Sequence, residues 1–236
     1  MQLFAHNAMT LEAAREDLLD EFSGTGVGGR IADALTQKGI KTNTFSISGQ
    51  QVLLTGEPGA GPSQFILSSS GLSAFNSNPS IPSMNDVILA LNNATTADSG
   101  FFAETWSSKL SDAISKQEIL KTAVDSTTVT TPFPNSGIGN QLKMVTQLMQ
   151  TAATRGVSRD IFYVTDGGYD THSNVDMNLI NNFARVNAAL QAFVDELKVL
   201  KKWNSTVMVQ FSEFARTLDP NSGEGTGECW FRLEAL

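Results

Sequence analysis

The chain has 236 residues, a formal net charge of −8, 41% hydrophobic residues and 17% charged residues, the balance of a soluble globular fold of one or at most two domains. No apolar run approaches the roughly 18 residues that span a bilayer, and MQLFAHNAMTLEAARE lacks the basic, apolar and small-residue order of a secretory signal. KVLKKW is the one short basic patch, too small for the concentrated positive surface that a phosphate backbone requires, so nucleic acid is not an expected partner. With one cysteine, Cys229, no internal disulfide and no cysteine-based zinc site can form. Compartment and oligomeric state stay open at this level.

In chain order, TLEAAREDLLDEF reads as a short helix capped by Thr10. GTGVGGR opens a second, GRIADALTQKG, which Gly39 ends. TFSIS and QVLLT, separated by SGQ, alternate well enough for a hairpin. Residues 56–83 are dense in Gly, Pro, Ser and Asn and read as a long surface loop. Helices are expected around Asp86–Asn93 and from Glu104 to Val124. Asn93-Ala94-Thr95 and Asn204-Ser205-Thr206 fit the acceptor pattern for N-glycosylation, one that is common by chance.

After TTPFPNSG, apolar residues fall at Ile138, Leu142, Val145, Met149 and Ala152, in steps that mark one face of a helix ended by Arg155-Gly156. DIFYVT is a compact β-rich run. DGGYDTHSN then leads into a long helix with Leu179, Phe183, Val186, Leu190, Phe193, Leu197 and Leu200 on one stripe. STVMVQF is expected as the next strand, and SEFART follows it directly. Helix, strand, helix, strand implies an α/β fold with a mostly parallel central sheet flanked by helices and a right-handed crossover. DGGYDTH and SEFART then both leave the carboxyl ends of their strands, the edge where ligand sites lie in open α/β sheets. The two turns are expected side by side, with Asp170 near Glu213.

Carboxylate oxygens and imidazole nitrogens are the usual ligands of zinc, manganese or iron. Asp170 and His172 emerge two apart from a Gly-rich turn, and Glu213 is a candidate third ligand from the neighbouring strand end. Asp166 sits at the strand end and equally fits a cap of the turn. Arg216 offers a planar fork to a bound phosphate or sulfate. The other reading is a polar turn in which the acids bond to local backbone. His6, without a ligand partner nearby in sequence, reads as a surface or packed histidine. Gly24, Gly26 and Gly29 match G-x-G-x-x-G, but a helix rather than a strand precedes them, so the nucleotide reading is rejected. No G-x-S-x-G elbow exists, and no catalytic nucleophile is assigned.

GTGVGGRIAD, SISGQQVLLTG, GIGNQLKMVTQLM, IFYVTDGGYDTHSN and VQFSEFART, in this order, resemble the family called domain of unknown function 1501. The resemblance runs from LFAHN to about Gly227. Its members are grouped with the alkaline phosphatase and sulfatase superfamily and are often exported. The resemblance implies a partial alkaline-phosphatase-like sandwich over 1–236 as one incomplete domain. It implies a site for a divalent metal such as zinc or manganese, with Asp170 and His172 in one ligand segment and Glu213 near a second. A small anionic ester, phosphate or sulfate, is the implied substrate. A non-catalytic binding or structural protein on the same scaffold is the alternative. Two departures stand out: the family's first Asp-containing strand segment is absent before LFAHN, and Glu228 and Cys229 stand where an Asp-His pair is expected. Residues 228–236 therefore read as an atypical tail, as in a truncated or frameshifted chain.

Overall fold

The computed structural model describes residues 6–14, 24–72, 80, 84–93, 100–213 and 215–229. The chain divides into two compact units, Met1–Ser70 with Val129–Leu236, and Gly71–Thr128. The larger unit is α/β. Its sheet has β1 (Thr42–Ser46) in the centre, β2 (Phe65–Ile66) on one side and β3 (Arg159–Tyr163) on the other, all parallel. Phe45 pairs with Phe65 and with Phe162 in register, so three phenylalanine rings stack across the strands with centroids 5.1 and 5.4 Å apart. Phe45 is fully buried at the centre of this stack. Such rings bury the most apolar area per side chain and add directional contacts between neighbouring strands.

Helix α1 spans His6–Ala14 and α2 spans Val27–Gln37. The remainder of the helix expected over 10–22 lies outside the described residues. Thr10 is not a cap, as the sequence suggested. It sits inside α1 and its hydroxyl donates to the His6 carbonyl at 2.9 Å. The expected hairpin does not form either, because QVLLT folds into a 3-10 turn at Val52–Leu54. Leu54 is buried there, and the backbone of Thr55 lies 2.1 Å from where a Cβ on Gly29 would sit. The glycines of GTGVGG thus let α2 close directly on this turn, and that packing overrides the β propensity of the segment.

Helix α5 (Gly137–Gln150) is capped by Ser136, whose hydroxyl accepts from the Gly139 amide at 3.1 Å. It buries Ile138, Leu142, Val145 and Leu148 and packs on α6 (Val175–Val199). The stripe of α6 is rotated from its expected position: Phe193 and Leu197 are buried as read, but Phe183 is 54% exposed, while Asn182 and Glu196 are buried. Both polar side chains have bonding work there. Asn182 Nδ2 donates to the Gly168 carbonyl at 2.5 Å. Glu196 accepts from the Thr131 amide at 2.9 Å and the Thr130 hydroxyl at 3.1 Å.

STVMVQF does not form the expected strand. Val207–Phe211 belongs to no helix or strand, and Val207, Met208, Val209 and Phe211 are 88, 50, 77 and 47% exposed. The parallel sheet therefore consists of β2, β1 and β3, and residues 205–211 are not one of its strands. SEFART contributes the two-residue β4 (Ala215–Arg216), antiparallel to β5 (Glu228–Cys229).

The smaller unit contains α3 (Met84–Asn93) and α4 (Gly100–Asp125), which pack on each other. α4 buries Ile114, Leu120, Ala123 and Val124 and exposes Phe101, Phe102 and Trp106 at its start. Among the described residues, no helix is long and apolar enough to cross a membrane.

Candidate functional site

The turn after β3 is fixed from two sides. Gln141 of α5 bonds the Thr165 backbone twice, donating to its carbonyl at 2.8 Å and accepting from its amide at 2.9 Å. Arg185 of α6 reaches Asp166 Oδ2 at 2.7 Å and the Gly167 carbonyl at 2.9 Å, and the Tyr169 hydroxyl donates to the same carboxylate at 3.1 Å. Asp166 is thereby occupied in strapping the Gly-rich turn to α6. Burial first, and the bond to the Asp166 carboxylate second, push the Tyr169 phenol above its ordinary value; Arg185 is raised chiefly by its own bond to Asp166.

The second wall comes from NSGEGT, residues 221–226. Thr226 donates its amide to the Thr171 carbonyl at 2.8 Å, and Val175 donates to the Glu224 carbonyl at 2.8 Å. Asn221 Nδ2 donates to the His172 carbonyl at 3.0 Å. A Cβ on Gly225 would lie 2.0 Å from the His172 carbonyl carbon, so only glycine allows this approach. DGGYDTH and the SEFART region do lie side by side.

Five chemistry-bearing side chains, His6, Asp170, His172, Glu213 and Arg216, meet where these turns join α1. Asp170 Oδ1 is 2.7 Å from His172 Nε2 and 2.5 Å from Arg216 Nη1. Asp170 Oδ2 is 3.6 Å from His6 Nε2. The other ring nitrogen of His6, Nδ1, is 2.5 Å from Glu213 Oε1, and the Thr10 hydroxyl donates to Glu213 Oε2 at 3.0 Å. His6 therefore stands between the two carboxylates. Arg216 is the most buried member, with its Nε donating to the Thr226 hydroxyl at 2.9 Å and its Nη2 to the Thr226 carbonyl. Its fork is thus engaged by Asp170 and Thr226. The negative field extends to the end of β3: burial, and then the Glu213 charge, raise Tyr163 above its ordinary value.

Sequence reasoning placed none of His6, Thr10, Gly225 and Thr226 in the site: His6 was read as a surface or packed histidine and Thr10 as a helix cap. The one available signal for His6 was that the chain has two histidines, and the other stands in DGGYDTH. Nothing local in LFAHN points across the more than 160 residues to that turn.

The donor types suit a divalent transition metal: two imidazoles and two carboxylates. Two donors at about 2.1 Å from one tetrahedral ion stand about 3.4 Å apart, close to the His6–Asp170 separation of 3.6 Å. The His6–Glu213 and His172–Asp170 approaches are shorter, at hydrogen-bond and ion-pair distance. Among the described residues, no three His, Cys, Asp or Glu side chains are arranged as a ready-made metal cage. The donors face one another as pairs.

Fold and site together define an α/β protein with a histidine–carboxylate cluster on the turns beyond its sheet. The family model described as "Protein of unknown function (DUF1501)" matches residues 92–228, more than half of the 236-residue chain. The chain belongs to that family. His6 and Thr10 lie outside the matched span. No curated protein and no solved structure matches the chain.

Proposed function

We propose that the cluster of His6, Asp170, His172 and Glu213 binds a divalent metal ion, and that the protein is a metal-dependent hydrolase of phosphate or sulfate esters or a descendant of one. The observation that carries this reading is the convergence itself. Residues from α1, the DGGYDTH turn and the SEFART turn bring two imidazoles and two carboxylates together, with donor separations of 2.5–3.6 Å. Asp170 and His172 would hold the ion, with His6 or Glu213 completing the set once their mutual bond opens. A bound ion would supply positive charge for the oxyanion that develops as an ester is attacked. Around it, Arg216 fixes the Asp170 carboxylate, Thr10 fixes Glu213, and Glu213 sets which nitrogen of His6 carries its proton. Exchange of Arg216 from Asp170 to a substrate oxyanion is the step by which its fork would serve anion binding.

The test is metal content and thermal stability of the purified chain with Zn²⁺ or Mn²⁺, beside an Asp170→Ala, His172→Ala double variant. Stoichiometric metal is expected, with a raised melting temperature that the variant loses. Saturation at a hundredfold excess over Kd corresponds to about 2.7 kcal/mol of stabilisation. Turnover of aryl phosphate and aryl sulfate by the loaded protein follows. A folded chain that takes up no metal would sink the reading.

A second reading has its own support. Arg216 already gives Asp170 a cationic partner, and the remaining donors are paired. On this reading the cluster is an ion-pair clamp that ties α1 to the turns, in a non-catalytic binding or structural protein. It expects Glu213→Gln to loosen α1, seen as faster hydrogen exchange in residues 6–14, to the same extent with and without metal.

A further inference from the structure

The guanidinium of Arg216 lies on the lone pairs that a metal ion would take. Its Nη1 is 2.5 Å from Asp170 Oδ1, and its Nη2 is 3.4 Å from His172 Nδ1. A guanidinium has N–H donors and no acceptor, so His172 Nδ1 turns a lone pair towards it. The ring proton then sits on Nε2, which donates to Asp170 Oδ1 at 2.7 Å. One cationic head thus covers the unprotonated nitrogen of His172 and shares an oxygen of Asp170. The head is also well anchored. Its side chain is 15% exposed, and Thr226 accepts from Nε through its hydroxyl at 2.9 Å and from Nη2 through its carbonyl. A metal ion on the same two atoms would have to displace it, because two positive centres so close on one carboxylate repel each other.

We infer that Arg216 is the chain's own competitor for this site, and that an oxyanion drawing its fork away from Asp170 makes metal binding tighter. The inference rests on the metal reading above and adds to it a coupling between two ligands. With neutral imidazoles, the carboxylates of Asp170 and Glu213 and the Arg216 guanidinium leave one net negative charge. A divalent ion would turn that into one net positive charge. A sulfate or phosphate group offsets the excess and offers the planar fork two oxygens in exchange for the Asp170 carboxylate. Anion and ion then favour each other by the same factor, as linkage requires, and such factors run from about 5 to about 150.

Calorimetric titration of the whole chain with Zn²⁺, at fixed ionic strength, tests this without any turnover. Arg216→Gln removes the competing charge and is expected to tighten Zn²⁺ binding about tenfold. Loss of a merely structural residue would weaken binding, so the sign of the change separates the two roles. A second measurement needs no variant. Inorganic sulfate in place of chloride should tighten Zn²⁺ binding by the parent chain about fivefold or more. Sulfate in solution takes up some of the ion, so an uncoupled site would respond in the opposite direction. The sulfate effect should vanish in Arg216→Gln and be largely lost in Arg216→Lys, which keeps the charge without the fork. A folded Arg216→Gln chain that binds Zn²⁺ as the parent does, or more weakly, overturns the inference and leaves the metal reading standing. So does a parent chain whose Zn²⁺ affinity sulfate fails to raise. If neither parent nor variant takes up Zn²⁺, the inference falls together with the metal reading.

Discussion

Residues 159–163 and 207–211 both follow a helical segment and carry β-branched, aromatic and long apolar side chains, Ile161, Phe162 and Tyr163 in the first and Val207, Met208, Val209 and Phe211 in the second. One is a strand and the other is not. β3 has β1 beside it over five registered pairs, α5 against the turn that follows it, and a buried ion pair at its start. Arg155 Nη2 meets Asp160 Oδ2 at 2.7 Å with both side chains 8% exposed, and the guanidinium lies 4.9 Å from the centre of the Phe45 ring. Val207–Phe211 has none of these. The difference shows that β propensity expresses itself only where a neighbouring strand and a packed face are present.

The comparison can be broken at its packed side. Phe45→Ala removes the central ring of the three-ring stack and leaves a cavity in the middle of the sheet. It is expected to cost about 3–5 kcal/mol, read from denaturant unfolding. Val207→Ala, in the unpaired run, should change monomer stability by less than about 0.5 kcal/mol. Equal losses at the two positions would mean that 207–211 is packed in solution as β3 is. The next effect is at the ion pair. Asp160→Ala strands the Arg155 charge in a site closed to water and should cost about 3 kcal/mol. Arg155 also donates to the Leu148 carbonyl at 3.0 Å and the Thr151 hydroxyl at 2.8 Å. The loss should therefore spread to the end of α5, as faster amide exchange in residues 148–156.

The parallel α/β character was legible because the helix and strand periods in the second half are long and regular. The expected neighbourhood of DGGYDTH and SEFART held, although its premise, a strand over STVMVQF in the same sheet, did not. What was not legible depended on tertiary partners. QVLLT became a 3-10 turn because α2's glycines press on it, and STVMVQF pairs with no described strand, although the Phe211 ring lies 6.4 Å from that of Tyr163 in β3. His6 entered the site from a helix whose own sequence carries no sign of it. Arg216, read as an anion ligand, is held by Asp170 and Thr226, two partners that sequence spacing does not bring to it. Asn182 and Glu196 fell in the buried stripe of α6, where a reading by apolar residues alone passes over them.

Glu196 sharpens the same comparison at its smallest scale, because it is a polar residue whose burial is complete and whose partners are all backbone or hydroxyl groups. Burial alone would raise its carboxyl. The bonds from Thr131 and Thr130 outweigh that, and the net direction is downward from the ordinary value of 4.5. A carboxyl lowered in the folded state stabilises the fold above its unfolded pKa, and that contribution disappears as pH falls through the lower, folded value. Glu196→Gln keeps one acceptor oxygen but loses the charge, and should cost about 1–2 kcal/mol near neutral pH. Its deficit relative to the parent chain should shrink as the pH falls below the ordinary carboxyl value of 4.5 and through the lower, folded one, where the parent loses the same interaction. Melting curves of the two proteins across pH 3–7 should therefore converge at the acid end. Curves that stay parallel would mean that the carboxylate charge contributes nothing to holding residues 130–131 on α6.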